Sequence, residues 1–192
     1  MNFIKIHIKS ILLCTFLLVS GNLVHAQLYP VPLAQRVSNA QVIIEGIVIS
    51  HVSFWDDQHH NIYTSNIIEV YKVFKGSLSA AKVEIITEGG KVGNEMQTVT
   101  HSLKLKIGDV GIFTCNANNI NKADDTINQG YASFRTYADL QGFLVYDITK
   151  MSATDPFNSY SDVKTNLYPA ITGLTNEQVR TIKEVNLYQK AK

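Results

Sequence analysis

Residues 42–76 read "VIIEGIVISHVSFWDDQHHNIYTSNIIEVYKVFKG". Two runs rich in Val and Ile flank a short polar break, "DDQHHN" at 56–61. Alternating β-branched and aromatic residues suit a pleated, half-buried strand. Val42, Ile44 and Val48 share one side of the first run. Ile62, Thr64, Ile68 and Val70 share one side of the second, and Val73 rejoins them only after a slip in register. Gly46 interrupts the first run, which in a strand predicts a bulge or a sharp bend. The stretch therefore predicts a hairpin with a bent arm and a polar tip.

Outward from the hairpin, Leu33, Val37 and Ala40 stand at helical spacing after two prolines and predict a short helix over 32–39. "KGSLSAAK" is a turn, "VEIITEGG" a third strand and "MQTVTHSLKL" a fourth. A Gly-Asp turn in "KIGDVGIFTC" introduces a fifth strand. "NANNINKADDTINQG" (116–130) is polar and is expected to be a long, mobile surface loop. "YASFRTYADLQGFLVYDI" supplies one or two further strands around Gly142. From about residue 155 the pattern turns helical, with Phe157, Tyr160, Val163 and Leu167 on one face until Pro169. "TNEQ" then reads as a capping box, Thr175 at N-cap and Gln178 at N3. Val179, Ile182 and Val185 form the stripe of that last helix, and Lys190 and Lys192 suit its C-terminal end. The expected fold is mainly β, a small closed barrel of the OB-like kind with short flanking helices and a C-terminal helix. A β-sandwich accounts for the same strand pattern.

The first 26 residues read as a secretory leader. Lys5 and Lys9 precede the apolar core "ILLCTFLLVSGNLV", and Val24 and Ala26 stand at −3 and −1 of a cut after Ala26. The core is too short and too interrupted to span a bilayer as a permanent helix. Cys14 follows Leu13 where a lipid-anchored cysteine would follow a small residue. The expectation is one exported domain over 27–192, in the periplasm, on the cell surface or outside the cell. Of 17 Lys and Arg against 16 Asp and Glu, the leader takes two bases and no acid, leaving the remainder with one acid in excess. That near-neutral balance, with no basic stripe, argues against a nucleic-acid partner. Cys115 is then the sole cysteine, so no intrachain disulfide is expected, and its apolar neighbours predict a buried small hydrophobe.

The series "VSNAQVIIEGIVIS", "SFWDDQHHNIYTSNIIEVYKVFKG", "VEIITEGGKVG" and "LKIGDVGIFTC" resembles the amino-terminal module of secreted multidomain proteins of Bacteroidota-type bacteria. "DPFNSYSDVKTNLYPAI" resembles the segment that follows that module, so the likeness covers roughly residues 30–172. Such modules often precede adhesive repeats, an HExxH metalloprotease domain or a sorting domain, none of which follows before "NLYQKAK". The resemblance implies an accessory role and brings no catalytic residue with it. An inhibitory or chaperoning role toward a protease rests on that company alone.

The tip holds the chemistry-bearing residues. Phe54, Trp55 and Tyr63 flank it and are candidates for an aromatic contact with a protein or glycan partner. Asp56, Asp57, His59 and His60 are zinc- or copper-ligand types, with His59, His60 and Asp57 the candidate ligands. Adjacent residues of an extended chain point to opposite faces, so His59 and His60 chelate together only if the turn curls between them. A third ligand would have to come from His51 or His101. The competing reading is a solvated turn, with Asp and Asn chosen for turn geometry. "TEGGKVG" fails the phosphate-loop pattern at Ile85 and Val92, and loop 116–130 lacks the ligand offsets of a helix–loop–helix calcium site. There is no G-x-S-x-G, H-E-x-x-H or C-x-x-C. The expected function is an exported, non-catalytic binding module for a protein or cell-surface polymer. The alternative is a metal-binding protein or metal-dependent hydrolase centred on His59 and His60.

Overall fold

A computed structural model describes residues 28–187, so the leader reading at 1–26 and the lysines at 190 and 192 lie outside the described residues. Pro32 precedes helix α1 (Leu33–Asn39), as its spacing predicts. Strands β1 (Val42–Trp55) and β2 (Ile62–Lys75) form the long antiparallel hairpin. Their register shifts between Ile43 and Ile44, between Glu45 and Gly46, and between Val48 and Ser50. A Cβ at Gly46 would run into the carbonyl oxygen of Glu69 and lie 2.7 Å from Ile68 Cγ2. Only glycine permits that approach, so the bulge expected at this position is there for a steric reason.

On its other edge β1 pairs with β6 (Val110–Ala117), from Val42 opposite Cys115 to Ile47 opposite Val110. Strand β3 (Lys82–Glu88) lies antiparallel to β2, and β7 (Ser133–Thr136) lies antiparallel to β6. β3 and β7 meet in parallel through two residue pairs only, Glu84 with Ser133 and Ile85 with Phe134. The ring β1-β2-β3-β7-β6 thus closes into a small OB-like barrel rather than a two-sheet sandwich, though not a smooth one. Past Ile85 the ring gapes into a groove bridged by the Arg135–Glu88 ion pair at 2.8 Å. A short hairpin, β4 (Gly90–Val92) with β5 (Glu95–Gln97), forms its own ladder and packs on β1 and β2, with Lys91 N–H donating to Ser53 Oγ at 3.2 Å. Strand β8 (Phe143–Asp147) shares the outer edge of β6 with β7, and β9 (Ser152–Thr154) and β10 (Ser159–Tyr160) extend the sheet from it.

Strand alternation divides the apolar residues into two cores. Ile44, Val48, Ile68, Val70, Val73 and Phe113 fill the barrel, with Val73 on the inner face beyond the slip that the pattern predicts. Ile43, Phe74, Ile112 and Leu144 face outward and pack under Val37 of α1 and under Leu167 and Ile171. Cys115 is fully buried in the barrel core, and burial pushes its thiol far above the ordinary value, so it stays protonated.

Two readings of the sequence are corrected. Of "MQTVTHSLKL" (96–105) only Met96 and Gln97 are strand, as the end of β5. Leu103 and Leu105 do turn inward while Lys104 and Lys106 stay exposed, but the backbone there finds no ladder. Leu103 N–H instead donates to Asp139 Oδ1 at 3.0 Å. Alternation here marks one buried side of a covering segment. The C-terminal segment is also less helical than its spacing predicts. Phe157 is exposed, Tyr160 lies in β10, and a single wide turn at Val163–Leu167 leads into helix α2 (Tyr168–Thr175). Pro169 therefore opens that helix, where its missing N–H costs nothing. Thr175 is its last residue, and Asn176 ends it in the left-handed region at φ 55°. The chain beyond is extended, with β11 (Arg180–Thr181) paired to Val73 and Lys72 of β2. Val179 and Val185 pack on the outer core and Ile182 on the barrel core, which a single helical stripe cannot do.

Replacing Gly46 by Ala forces β1 and β2 apart at the bulge. Gly46→Ala is expected to lower unfolding free energy by about 1–3 kcal/mol, read as a fall in the urea midpoint.

Candidate functional site

The tip is built by Asp56. Its carboxylate accepts the backbone N–H of His60 at 2.7 Å and of Asn61 at 3.1 Å, and the Asn61 amide at 3.3 Å. Its carbonyl accepts His59 N–H at 2.9 Å. This is an Asx-type turn that holds His59 in the left-handed region at φ 54°. Partial desolvation pushes the Asp56 carboxyl up, but the His60 and Asn61 hydrogen bonds outweigh it and hold it below its ordinary value.

The sequence-predicted residues part company at this turn. Phe54 is buried and stacks on its cross-strand neighbour Tyr63 at 6.0 Å between ring centres. Trp55 is half-buried and stacks on the His59 ring at 6.2 Å. Asp57 and His60 are exposed. His51 pairs with Asn66 further down the hairpin, away from the tip. Among the described residues no three of His, Cys, Asp or Glu gather as a metal-ligand set. Asp56 is committed to the turn by its three hydrogen bonds and Asp57 to the Asn121 amide, while His59 and His60 stay exposed.

What the structure adds is the second wall of the site. Loop 118–132, between β6 and β7, is a surface segment as expected, but it is anchored to the tip. Asp56 and Lys122 form an antiparallel bridge, and Ala123 N–H donates to the Trp55 carbonyl at 2.9 Å. Asn121 Nδ2 donates to Asp57 Oδ2 at 3.1 Å. Beneath, Lys122 Nζ reaches Glu84 Oε1 at 2.6 Å and the Ile127 carbonyl at 2.7 Å, and it sits 5.7 Å above the Phe54 ring. Glu84 is buried in β3 and also accepts the hydroxyls of Ser65 and Ser133. Asn128 Nδ2 donates to Ser65 Oγ at 2.6 Å, so the far half of the loop is tied to the same group. A buried carboxylate needs such partners, and here they are also what fixes the loop.

The loop, with Asp57 from the hairpin tip at its edge, lines an open, polar cleft of about 530 Å³, with Glu84 and Lys122 as its floor. Glu84 and Lys122 escaped the reading of the sequence. The signals were a lone acid inside the apolar run "VEII" and a lone base inside the Asn/Asp-rich loop, each of which calls for a partner. No known protein family matches the chain, and no curated protein matches it either.

Because Asp56 is held below its ordinary value, its contribution to the turn is complete above the unfolded Asp value of about 3.9 and is lost as pH falls through the lower folded one. The amide proton shifts of His60 and Asn61 should therefore stay constant down to about pH 4 and move together only below it. Asp56→Asn should remove that transition.

Proposed function

We propose that the chain is an exported, non-catalytic binding module that contacts a protein or a cell-surface polymer through the corner made by the hairpin tip and loop 118–132. The observation that carries this reading is the clasp. Two segments far apart in sequence are locked together by Lys122, Glu84 and the Asp56 turn, while Gln58, His60, Asp125 and Gln129 stay exposed at its rim. A site held rigid before its partner arrives loses less entropy on binding. Export rests on the leader pattern of residues 1–26, and an accessory role agrees with the resemblance to Bacteroidota-type modules. On OB-like barrels the loop between the first two strands and the loop before the last commonly line the binding face, which agrees with this corner by fold analogy.

The metal reading has less to stand on. Asp56 is taken up by the turn and Asp57 accepts the Asn121 amide. Of the four candidate ligands, the exposed imidazoles of His59 and His60 are thus the two without a hydrogen bond among the described residues, and no third ligand type gathers with them there.

The protein, expressed with its own leader and purified, should bind saturably to envelopes of the producing cells. Trp55→Ala should weaken that binding roughly tenfold or more while far-UV circular dichroism stays unchanged. Unweakened binding by the variant would sink the assignment of the corner. Titration with zinc and copper should leave Trp55 emission flat; a saturable change at one equivalent, lost in the His59→Ala/His60→Ala variant, would restore the metal reading.

A further inference from the structure

We infer that the cleft between hairpin tip and loop recognises an uncharged glycan chain, through pairs of neighbouring hydroxyls. This rests on the binding-corner reading and narrows it to one class of partner.

Charge is the first argument. Lys122 is neutralised by Glu84 at the cleft floor, which leaves Asp57 and Asp125 as the charged groups of the wall. That excess of negative charge repels nucleic acid and uronate polymers alike. The second argument is the kind of polar group on offer. Asp57 Oδ2 takes the Asn121 amide, while the side chains of Asp125, Gln129 and Tyr131 make no hydrogen bond to the described residues. Carboxylates accept two hydrogen bonds side by side, and a primary amide accepts and donates from one plane. A pair of adjacent sugar hydroxyls offers the complementary donors and acceptors. Tyr131, 38% exposed on the same wall, supplies a flat apolar face with a polar end for the C–H face of a sugar ring.

The third argument is what the cleft lacks. Small apolar ligands take sites lined mainly by hydrophobic and aromatic side chains. The centres of protein interfaces are depleted of Asp and enriched in Arg, Met and aromatic residues. This wall carries two Asp and several amides, with Lys122 already spent on Glu84. Its volume of about 530 Å³ is that of a ligand site, and its open form lets a chain run through.

Envelopes of the producing cells serve as the probe, either oxidised with periodate, which cleaves vicinal diols, or digested with protease. Binding of the purified protein should be lost after periodate and kept after protease. Tyr131→Ala and Asp125→Ala should each weaken binding roughly tenfold, since both side chains are free of internal partners and the fold does not depend on them. A single-stranded oligonucleotide in excess should not compete. Binding that survives periodate and disappears after protease overturns the glycan and leaves the module with a protein partner. Competition by the oligonucleotide overturns it as well, as does full binding by both variants. No envelope binding by the unaltered protein removes the binding-corner reading and this inference together.

Discussion

Strand β1 is hydrogen-bonded on both edges over the same residues, Ile43 to Ile47, to β2 on one side and β6 on the other. A short sheet whose first strand must also meet its last can keep both ladders only by curling into a ring. Gly46 and the three register shifts supply the curvature, because they let β2 cross closely over β1 without a side chain between. Everything else follows from the two faces this ring creates. The inner face is filled mainly by apolar side chains, with the buried Asn66 amide bonded to the Ile85 carbonyl and Thr87 of β3, and much of the outer face is roofed by α1, α2 and the extended tail.

The roof is held by a charge rather than by packing alone. Glu45 points outward from β1 and is fully buried. Lys72 reaches its Oε1 at 2.8 Å, and the phenol hydroxyls of Tyr146 and Tyr168 donate to Oε2. Those donors come from β2, β8 and α2, so one carboxylate sets the position of the helix relative to two strands. The same device recurs on the other side of the barrel, where Glu84 positions loop 118–132. In each case an acid placed within an apolar strand is retained through its partners, and removing one partner costs more than the pair contributes net.

The hairpin was legible because its signal is local: alternation, a glycine at the bend and turn residues at the tip. The helix at 33–39 was legible for the same reason. The segments around Leu103 and Ile182 were not, since a strand, a helix and a covering strap can all bury every second or third residue. What separates them is where the backbone N–H groups go, as Leu103 shows by donating to Asp139. The tip is legible as a turn with suggestive side chains, but the way it is held against loop 118–132 depends on contacts of long range. Lys122 meets Glu84 across 38 positions of sequence, and Asn128 meets Ser65 across 63. Nothing in the spacing of either residue announces the other; only the cost of an unpaired charge in an apolar run hints that a partner exists.

The tail has a consequence for how molecules of this protein meet one another. Along its outer edge β2 is paired with β3 up to Glu69, and beyond it the backbone of Tyr71, Lys72 and Val73 would face outward unpaired. Residues 180–183 occupy that stretch, with Ile182 and Lys183 N–H groups both donating to the Tyr71 carbonyl. An unpaired strand edge is a template for another chain. The tail thus covers an edge open to self-assembly as much as it forms part of the roof, and changes within it bear on that edge as well as on the core that Ile182 joins.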